Sequence, residues 1–115
     1  MKKRLKEILD IAEVQGVIYL SVNGELIFNE FKAAPPLPLE TINWSPFILA
    51  LHGIRETELI FENIKIYIRL ADSGFLIVVS GKFTNTSLVR LNCDILLPQL
   101  PELKKKSKGF ARFFR

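Results

Sequence analysis

His52 and Cys93 have the side chains best suited to catalysis near neutral pH, and each is the only residue of its type. No motif places an acid, a serine or a second thiol beside either of them. A lone cysteine cannot form an internal disulfide or a metal cluster, which fits a reducing compartment. We therefore expect Cys93 to be a small buried hydrophobe and His52 to have a structural or interface role. The sequence predicts no catalytic and no metal-binding residue.

Phosphate binding by a glycine-rich loop is a second chemistry that the sequence does not support. Six glycines are scattered along the chain, without the pattern GxGxxG or GxxxxGK[ST]. Both patterns bring backbone N–H groups close to phosphates. We expect no cofactor, and the sequence predicts that this protein is not an enzyme.

Residues 104–115 read KKKSKGFARFFR and have six basic side chains and no acid. At 100° per residue the phenylalanines fall on one helical face and the later basic residues on the opposite face. The aromatic side chains are Phe110, Phe113 and Phe114, and the basic ones are Lys104, Lys105, Lys106, Lys108, Arg112 and Arg115. A helix this short is unstable alone in water. We therefore expect it to form on a surface that binds both the aromatic rings and the basic side chains.

Three interpretations of this tail stay open. The first is docking on a membrane or a partner, and an anionic membrane fits well, because it would attract the tail by roughly 1 kcal/mol for each basic residue and the rings would insert. A solvated end is the second interpretation, although three exposed rings fit it poorly. Nucleic acid ranks last, because residues 7–103 have six basic and twelve acidic side chains and would repel a long polyanion. Four more basic residues in KKRLK, at residues 2–6, leave both ends basic and the body acidic.

The length and composition predict one folded domain. The chain has 115 residues, of which 49% are hydrophobic, enough for one core without disulfides or metal. No apolar run approaches the ~20 residues of a membrane span, and the N-terminal segment lacks the apolar region of a signal peptide. We expect a cytoplasmic protein that is either free or attached to the membrane surface.

The first half of the chain predicts a helix, a hairpin and a loop. Apolar residues at helical spacing indicate an amphipathic helix over 3–14 that ends near Gly16. Asn23-Gly24 predicts a type I′ turn between strands at 17–22 and 25–31. The strands are almost continuously apolar, which indicates burial on both faces. Residues 33–41 contain three prolines and predict a connector, with a PxxP ligand as the alternative.

A short apolar helix follows the connector. Ser45 is expected to cap it, with Pro46 in its first turn and Gly53 at its end. Because this helix is apolar almost all round, we expect the sheet to cover one side and another surface, such as a partner subunit, to cover the other. Trp44, just before it, fits either a hydrophobic staple or an exposed contact.

The last part of the chain predicts three strands and a helix. The strands lie at about 57–62, 64–70 and 75–80, with alternating isoleucines in the second. Thr84 or Thr86 is expected to cap a helix that runs to about Leu97, before two prolines. In this helix Leu88, Leu91 and Ile95 form one stripe. The predicted order is α-β-β-α-β-β-β-α.

This order and three segments resemble the Roadblock family, the dynein light chain relatives within the longin-like superfamily. The segments are GVIYLSVNGELIF, IKIYIRLADSGFLIVVS and TSLVRLNCDILLPQL. The likeness covers about residues 3–100, so we expect a Roadblock-like domain over 1–103 and a separate tail over 104–115. It implies an α+β fold: a five-stranded antiparallel sheet with the second helix on one face and the first and last helices on the other.

The resemblance also implies function. Roadblock proteins typically dimerise through the second helix and third strand, and bacterial and archaeal members often regulate a Ras-like small GTPase. Carried over, this implies a homodimeric scaffold that is not itself an enzyme. The residues expected at the dimer or partner interface are Trp44, Phe47, Ile48, Leu51, His52, Ile54, Leu59 and Phe61. The alternative function is a peripheral membrane adaptor whose tail binds anionic lipid.

Overall fold

One antiparallel sheet of five strands lies between two layers of helices. The computed structural model describes residues 2–33, 42–72 and 74–99. The elements are α1 (Lys2–Leu9), β1 (Val14–Ser21), β2 (Leu26–Phe31), α2 (Ser45–Ala50), β3 (Glu56–Ile60), β4 (Lys65–Leu70), β5 (Gly74–Ser80) and α3 (Thr86–Leu96), followed by a 3₁₀ turn (Leu97–Gln99). The strand order is β2-β1-β5-β4-β3, so β2 and β3 form the two edges. The predicted fold class and element order are confirmed.

The sheet buries side chains on both faces, as the apolar character of its strands predicts. Tyr19 and Leu76 lie in the core beneath α1 and α3, together with Cys93 of α3. Leu20 and Ile77, their neighbours in sequence, lie in a second core beneath α2. Because successive strand residues point to opposite faces, the central strands β1 and β5 serve both cores.

The first helix is shorter than the sequence predicts. It ends at Leu9, and after a short turn β1 begins at Val14, so Gly16 lies within the strand. Glu13 closes this turn with a φ of 70°, a left-handed conformation that is uncommon for a residue other than glycine. Gly16 is required by the sheet instead, because a Cβ there would lie 2.2 Å from the ring of Phe31.

The first hairpin turns at Asn23-Gly24, as predicted, but the prediction of a type I′ turn is wrong. Gly24 has a φ of 88°, whereas Asn23 is not among the described residues with positive φ. The N–H of Gly24 donates to the carbonyl of Ser21 at 3.0 Å, and Ser21 Oγ accepts from the N–H groups of Asn23 and Glu25. This is a three-residue loop in which the glycine takes the left-handed position.

Trp44, rather than the predicted Ser45, occupies the N-cap position of α2, and its side chain makes no capping hydrogen bond. Ser45 is the first residue of α2, and its N–H donates to Asn43 Oδ1 at 3.2 Å. The helix ends at Ala50, earlier than predicted, and Gly53 follows with a φ of 82°. The PxxP segment Pro35–Pro38 and the tail 104–115 lie outside the described residues, as does most of the 33–41 connector.

Asn85, rather than either threonine, caps α3. Its Oδ1 accepts from the N–H of Leu88 at 3.2 Å. Thr84 lies one residue before the N-cap, and its hydroxyl donates to the carbonyl of Gly81 at 2.7 Å, whereas Thr86 is the first helical residue and donates to Glu58 at 2.5 Å. Val89, Cys93 and Leu96 form the buried side of α3. The predicted stripe of Leu88, Leu91 and Ile95 therefore faces outward.

Candidate functional site

The structure places the two side chains with catalytic potential in different environments. Cys93 is buried in the core beneath α3, and this burial raises the pKa of its thiol to about 12. Such a thiol stays protonated at neutral pH and is a poor nucleophile. His52 is exposed just after α2. Among residues 2–33, 42–72 and 74–99, no three His, Cys, Asp or Glu side chains are grouped to hold a metal ion.

A polar network fixes the edge strand β3 to helix α3. Glu56 of β3 accepts from the hydroxyl of Tyr67 and from Arg90 Nε, the latter at 2.8 Å. Arg69 of β4 donates to the Tyr67 hydroxyl at 3.0 Å and pairs with Asp94 of α3. These side chains come from three elements, and together they hold the edge of the sheet beneath the helix.

A second group of contacts continues this attachment along β3. Thr86 Oγ1, at the start of α3, donates to Glu58 Oε2 at 2.5 Å. Lys65 of β4 donates to the same hydroxyl at 3.1 Å and to the carbonyl of Thr84 at 3.0 Å. Both glutamates of β3 are therefore tied to α3, which keeps the opposite face of β3 open for other contacts.

Burial and hydrogen bonding set the ionisation of the network. Tyr67 is only 3% exposed, and the burial raises the pKa of its phenol to about 12. The hydrogen bond from Tyr67 lowers the pKa of Glu56. At neutral pH the network therefore contains a neutral phenol that donates to a carboxylate.

We expect Tyr67 to make the stability of the fold depend on pH in alkaline solution. Because its pKa is higher in the folded chain than the ordinary value near 10, the stabilisation is complete below pH 10 and is lost as the pH rises towards 12. The free energy of unfolding should fall by about 2 kcal/mol between pH 9 and 11.5 in the wild type relative to Tyr67→Phe. Urea unfolding of both proteins checks this, and parallel pH profiles would contradict it.

On the other face of the sheet, α2 and β3 present apolar side chains to solvent. We call this the α2–β3 surface, and it comprises Phe47, Ile48, Leu49, Leu59 and Phe61. Leu49 is 76% exposed, Phe61 is 54% exposed and Leu59 is 38% exposed. Phe47 and Ile48 are half-buried because they also pack on the core beneath α2. Large apolar side chains grouped on one face indicate a protein interaction site.

The backbone of β3 adds an open edge to this surface. Thr57 pairs with Ile68 and Leu59 with Ile66 of β4, which places these side chains on the α2 face. The ladder bonds at its ends, including Phe61 N–H to the Ile64 carbonyl at 2.8 Å, show that the odd-numbered residues face β4. The N–H and C=O groups of the even-numbered residues therefore point away from the sheet. None of the described strands pairs with this edge.

The predicted interface residues separate into an exposed group, a half-buried group and one buried residue, Leu51. Phe47, Ile48, Leu59 and Phe61 lie on the α2–β3 surface, and exposed His52 follows α2. Trp44 and Ile54 are half-buried against the core beneath α2. Trp44 also packs edge-to-face on Phe47, with ring centroids 5.8 Å apart.

Leu51 is the predicted interface residue that the structure places inside the chain. It is 5% exposed and belongs to the core beneath α2, because it faces the sheet at the end of the helix. Leu49, two residues earlier, is not among the predicted interface residues, yet it is the most exposed of the large apolar side chains of α2. An all-apolar helix gives no signal for which side faces the sheet, so only the structure separates the two leucines.

Solved structures share this arrangement of sheet and helices. Myxococcus xanthus MglB has a TM-score of 0.70 at 15% sequence identity, with 90% of this chain and 90% of that chain covered. A Roadblock/LC7 domain from Streptomyces avermitilis has a TM-score of 0.67 at 9% identity, with 90% and 96% covered. This chain has the Roadblock fold.

A third structure with the Roadblock fold, the gliding protein MglB from Thermus thermophilus, has a TM-score of 0.68 at 15% identity, with 90% of each chain covered. No protein-family profile and no curated protein matches the sequence. The likeness therefore lies in the fold, and it confirms the architecture that the resemblance implies.

No helix in the described part of this Roadblock fold combines the length and the apolar character needed to cross a bilayer.

Proposed function

We propose that this protein is a non-enzymatic, homodimeric scaffold or regulator that docks a Ras-like small GTPase. The observation that carries the proposal is the α2–β3 surface, where exposed apolar side chains adjoin an open strand edge. The Roadblock resemblance supplies the kind of partner. The similarity in fold to MglB structures supports the same assignment.

The open edge of β3 favours a dimer in which two copies pair this strand with one another. An exposed apolar edge strand invites pairing with another chain, and antiparallel pairing about a two-fold axis would join two sheets into one. The same approach would cover Leu59 and Phe61, and would bring α2 of one copy close to α2 of the other. The polar network holds β3 in place from the opposite face, so the edge is already formed before a partner arrives.

A dimer of this kind would offer a GTPase one continuous docking surface across the paired α2 helices. Leu49 is the best anchor on each copy, because its side chain is 76% exposed and α2 is supported beneath by Leu51. Apolar anchors on a rigid element are typical of protein-binding surfaces. Catalytic residues for GTP hydrolysis would remain those of the GTPase.

Light scattering and a GTPase assay test this proposal. The purified chain should have twice its monomer mass of 13.2 kDa. It should bind the Ras-like GTPase encoded in the same genome, loaded with a non-hydrolysable GTP analogue, or change the rate of GTP hydrolysis. A dimer that neither binds the GTPase nor changes its rate of hydrolysis would refute GTPase docking. A monomer mass in light scattering would refute the proposed homodimer.

Residues 104–115 support a second proposal, a peripheral attachment to anionic membranes. Their three phenylalanines fall on one face of a helix, with Lys108, Arg112 and Arg115 on the opposite face and three further lysines preceding them. Two tails in one dimer would add avidity. Flotation should show binding to vesicles that contain anionic lipid, weaker binding in high salt, and loss of binding in the double variant Phe113→Asp, Phe114→Asp. Binding to neutral vesicles of equal strength would refute it.

A further inference from the structure

An apolar ridge on α3 remains partly exposed to solvent in the described part of the chain. We define the α3 ridge as Leu88, Leu91 and Ile95, which are 41%, 55% and 38% exposed. Their spacing of three and four residues places them in one row on a helix. The buried residues of α3 face the sheet, and at 100° per residue the ridge lies about 130° around the helix from them, so it is turned away from the sheet.

The proposed dimer would leave the α3 ridge exposed. Helix α3 packs on the face of the sheet opposite to α2, and the polar network occupies its side towards β3. The α2–β3 surface therefore cannot cover the ridge of its own chain. A row of leucine and isoleucine side chains on a regular helix is suited to pack against a second amphipathic helix.

We infer that residues 108–115 of the same chain pack their phenylalanines on the α3 ridge. This segment, KGFARFFR, places Phe110, Phe113 and Phe114 on one helical face. As a helix it would be about 12 Å long, and the ridge from Leu88 to Ile95 extends about 10 Å. The row of phenylalanines, from Phe110 to Phe114, would span about 6 Å of that helix, so it fits within the length of the ridge.

The chain between the two rows is long enough for this return. The described chain ends at Gln99, just beyond the C-terminal end of α3. Residues 100–107 can span up to about 26 Å, whereas the far end of the ridge lies roughly 16 Å back along the helix. Pro101 disfavours a straight continuation of α3, so a reversal of direction is compatible with the sequence.

The tether and the charges favour the segment of the same chain over an external helix. A link of only eight residues would hold the segment at an effective concentration in the millimolar range, so weak apolar contacts are sufficient. With the rings on the ridge, Lys108, Arg112 and Arg115 would point into solvent, where their charges keep full hydration. Docking would also hide the three rings, so it would compete with attachment of the tail to a membrane.

Methyl NMR of the full chain tests this inference. Leucine and isoleucine methyl groups that lie over phenylalanine rings have their resonances shifted upfield. Replacing Phe110→Ser, Phe113→Ser and Phe114→Ser together should move the ridge methyl resonances downfield. The matched control replaces Lys104→Ser, Lys105→Ser and Lys106→Ser, which removes charge from the same tail but keeps the rings, and the ridge resonances should stay in place.

Each outcome decides the inference. Unchanged ridge resonances in the phenylalanine variant would overturn it. A mixed sample of methyl-labelled and unlabelled chains identifies which chain supplies the rings. Contacts from labelled ridge methyls to rings of unlabelled chains would show exchange of tails between copies and would also overturn docking within one chain. Vesicle binding gives a second readout, because Leu91→Ser should release the tail and strengthen flotation if the tail binds lipid.

Discussion

Gly74→Ala is expected to lower the free energy of unfolding by about 3 kcal/mol. Gly74 begins the central strand β5 and pairs with Ser21 at the end of β1. A Cβ at this position would lie 2.0 Å from the carbonyl oxygen of Leu20 and 3.1 Å from the ring of Tyr19. The first of these atoms is backbone, so the two central strands would have to separate, and every contact that depends on their register would weaken.

Urea unfolding of the variant and the wild type measures this effect. Gly81→Ala is the matched control, because a Cβ there would meet chiefly the carboxylate of Glu13, whose nearest oxygen lies at 2.8 Å. Glu13 is exposed and its side chain can move, so the control should lose less than about 1 kcal/mol. Equal losses in both variants would show that the close approach of β1 and β5 is not what Gly74 protects.

Local patterns predict the elements of this fold well, because they depend on neighbouring residues. The alternation in β4, the apolar runs of β1 and β5 and the glycine of the first hairpin each identify their element. Helix caps are less predictable, since several polar side chains compete for the same position. Asn85 caps α3, although Thr84 and Thr86 on either side of it carry hydroxyls of the kind that cap helices.

The candidate site is only partly predictable, because it depends on which elements become neighbours. The resemblance identifies α2 and β3, but the inward position of Leu51 and the outward position of Leu49 follow from how α2 sits on the sheet. The polar network joins Glu56 to Arg90, which are 34 residues apart. Nothing in the local sequence around either residue indicates this contact.

Replacing Leu59→Asp and Phe61→Asp together should convert the proposed dimer into a monomer. Both side chains lie on the α2 face at the edge of the sheet, and they are 38% and 54% exposed in the single chain. Carboxylates there remain hydrated in the monomer but would lose water in a dimer paired through β3. We expect dimerisation to weaken at least ~100-fold, or about 3 kcal/mol, and GTPase docking across the two copies to weaken with it.

Light scattering over a concentration series measures this change, with urea unfolding to verify that the monomer is folded. Leu91→Asp is the matched control, because Leu91 is a similarly exposed apolar residue, at 55%, on the opposite layer. The control should keep the dimer mass. If the β3 variant also stays dimeric, the two copies meet elsewhere. A monomer that still binds the GTPase would show that one α2–β3 surface is sufficient, and that the dimer serves to present two of them.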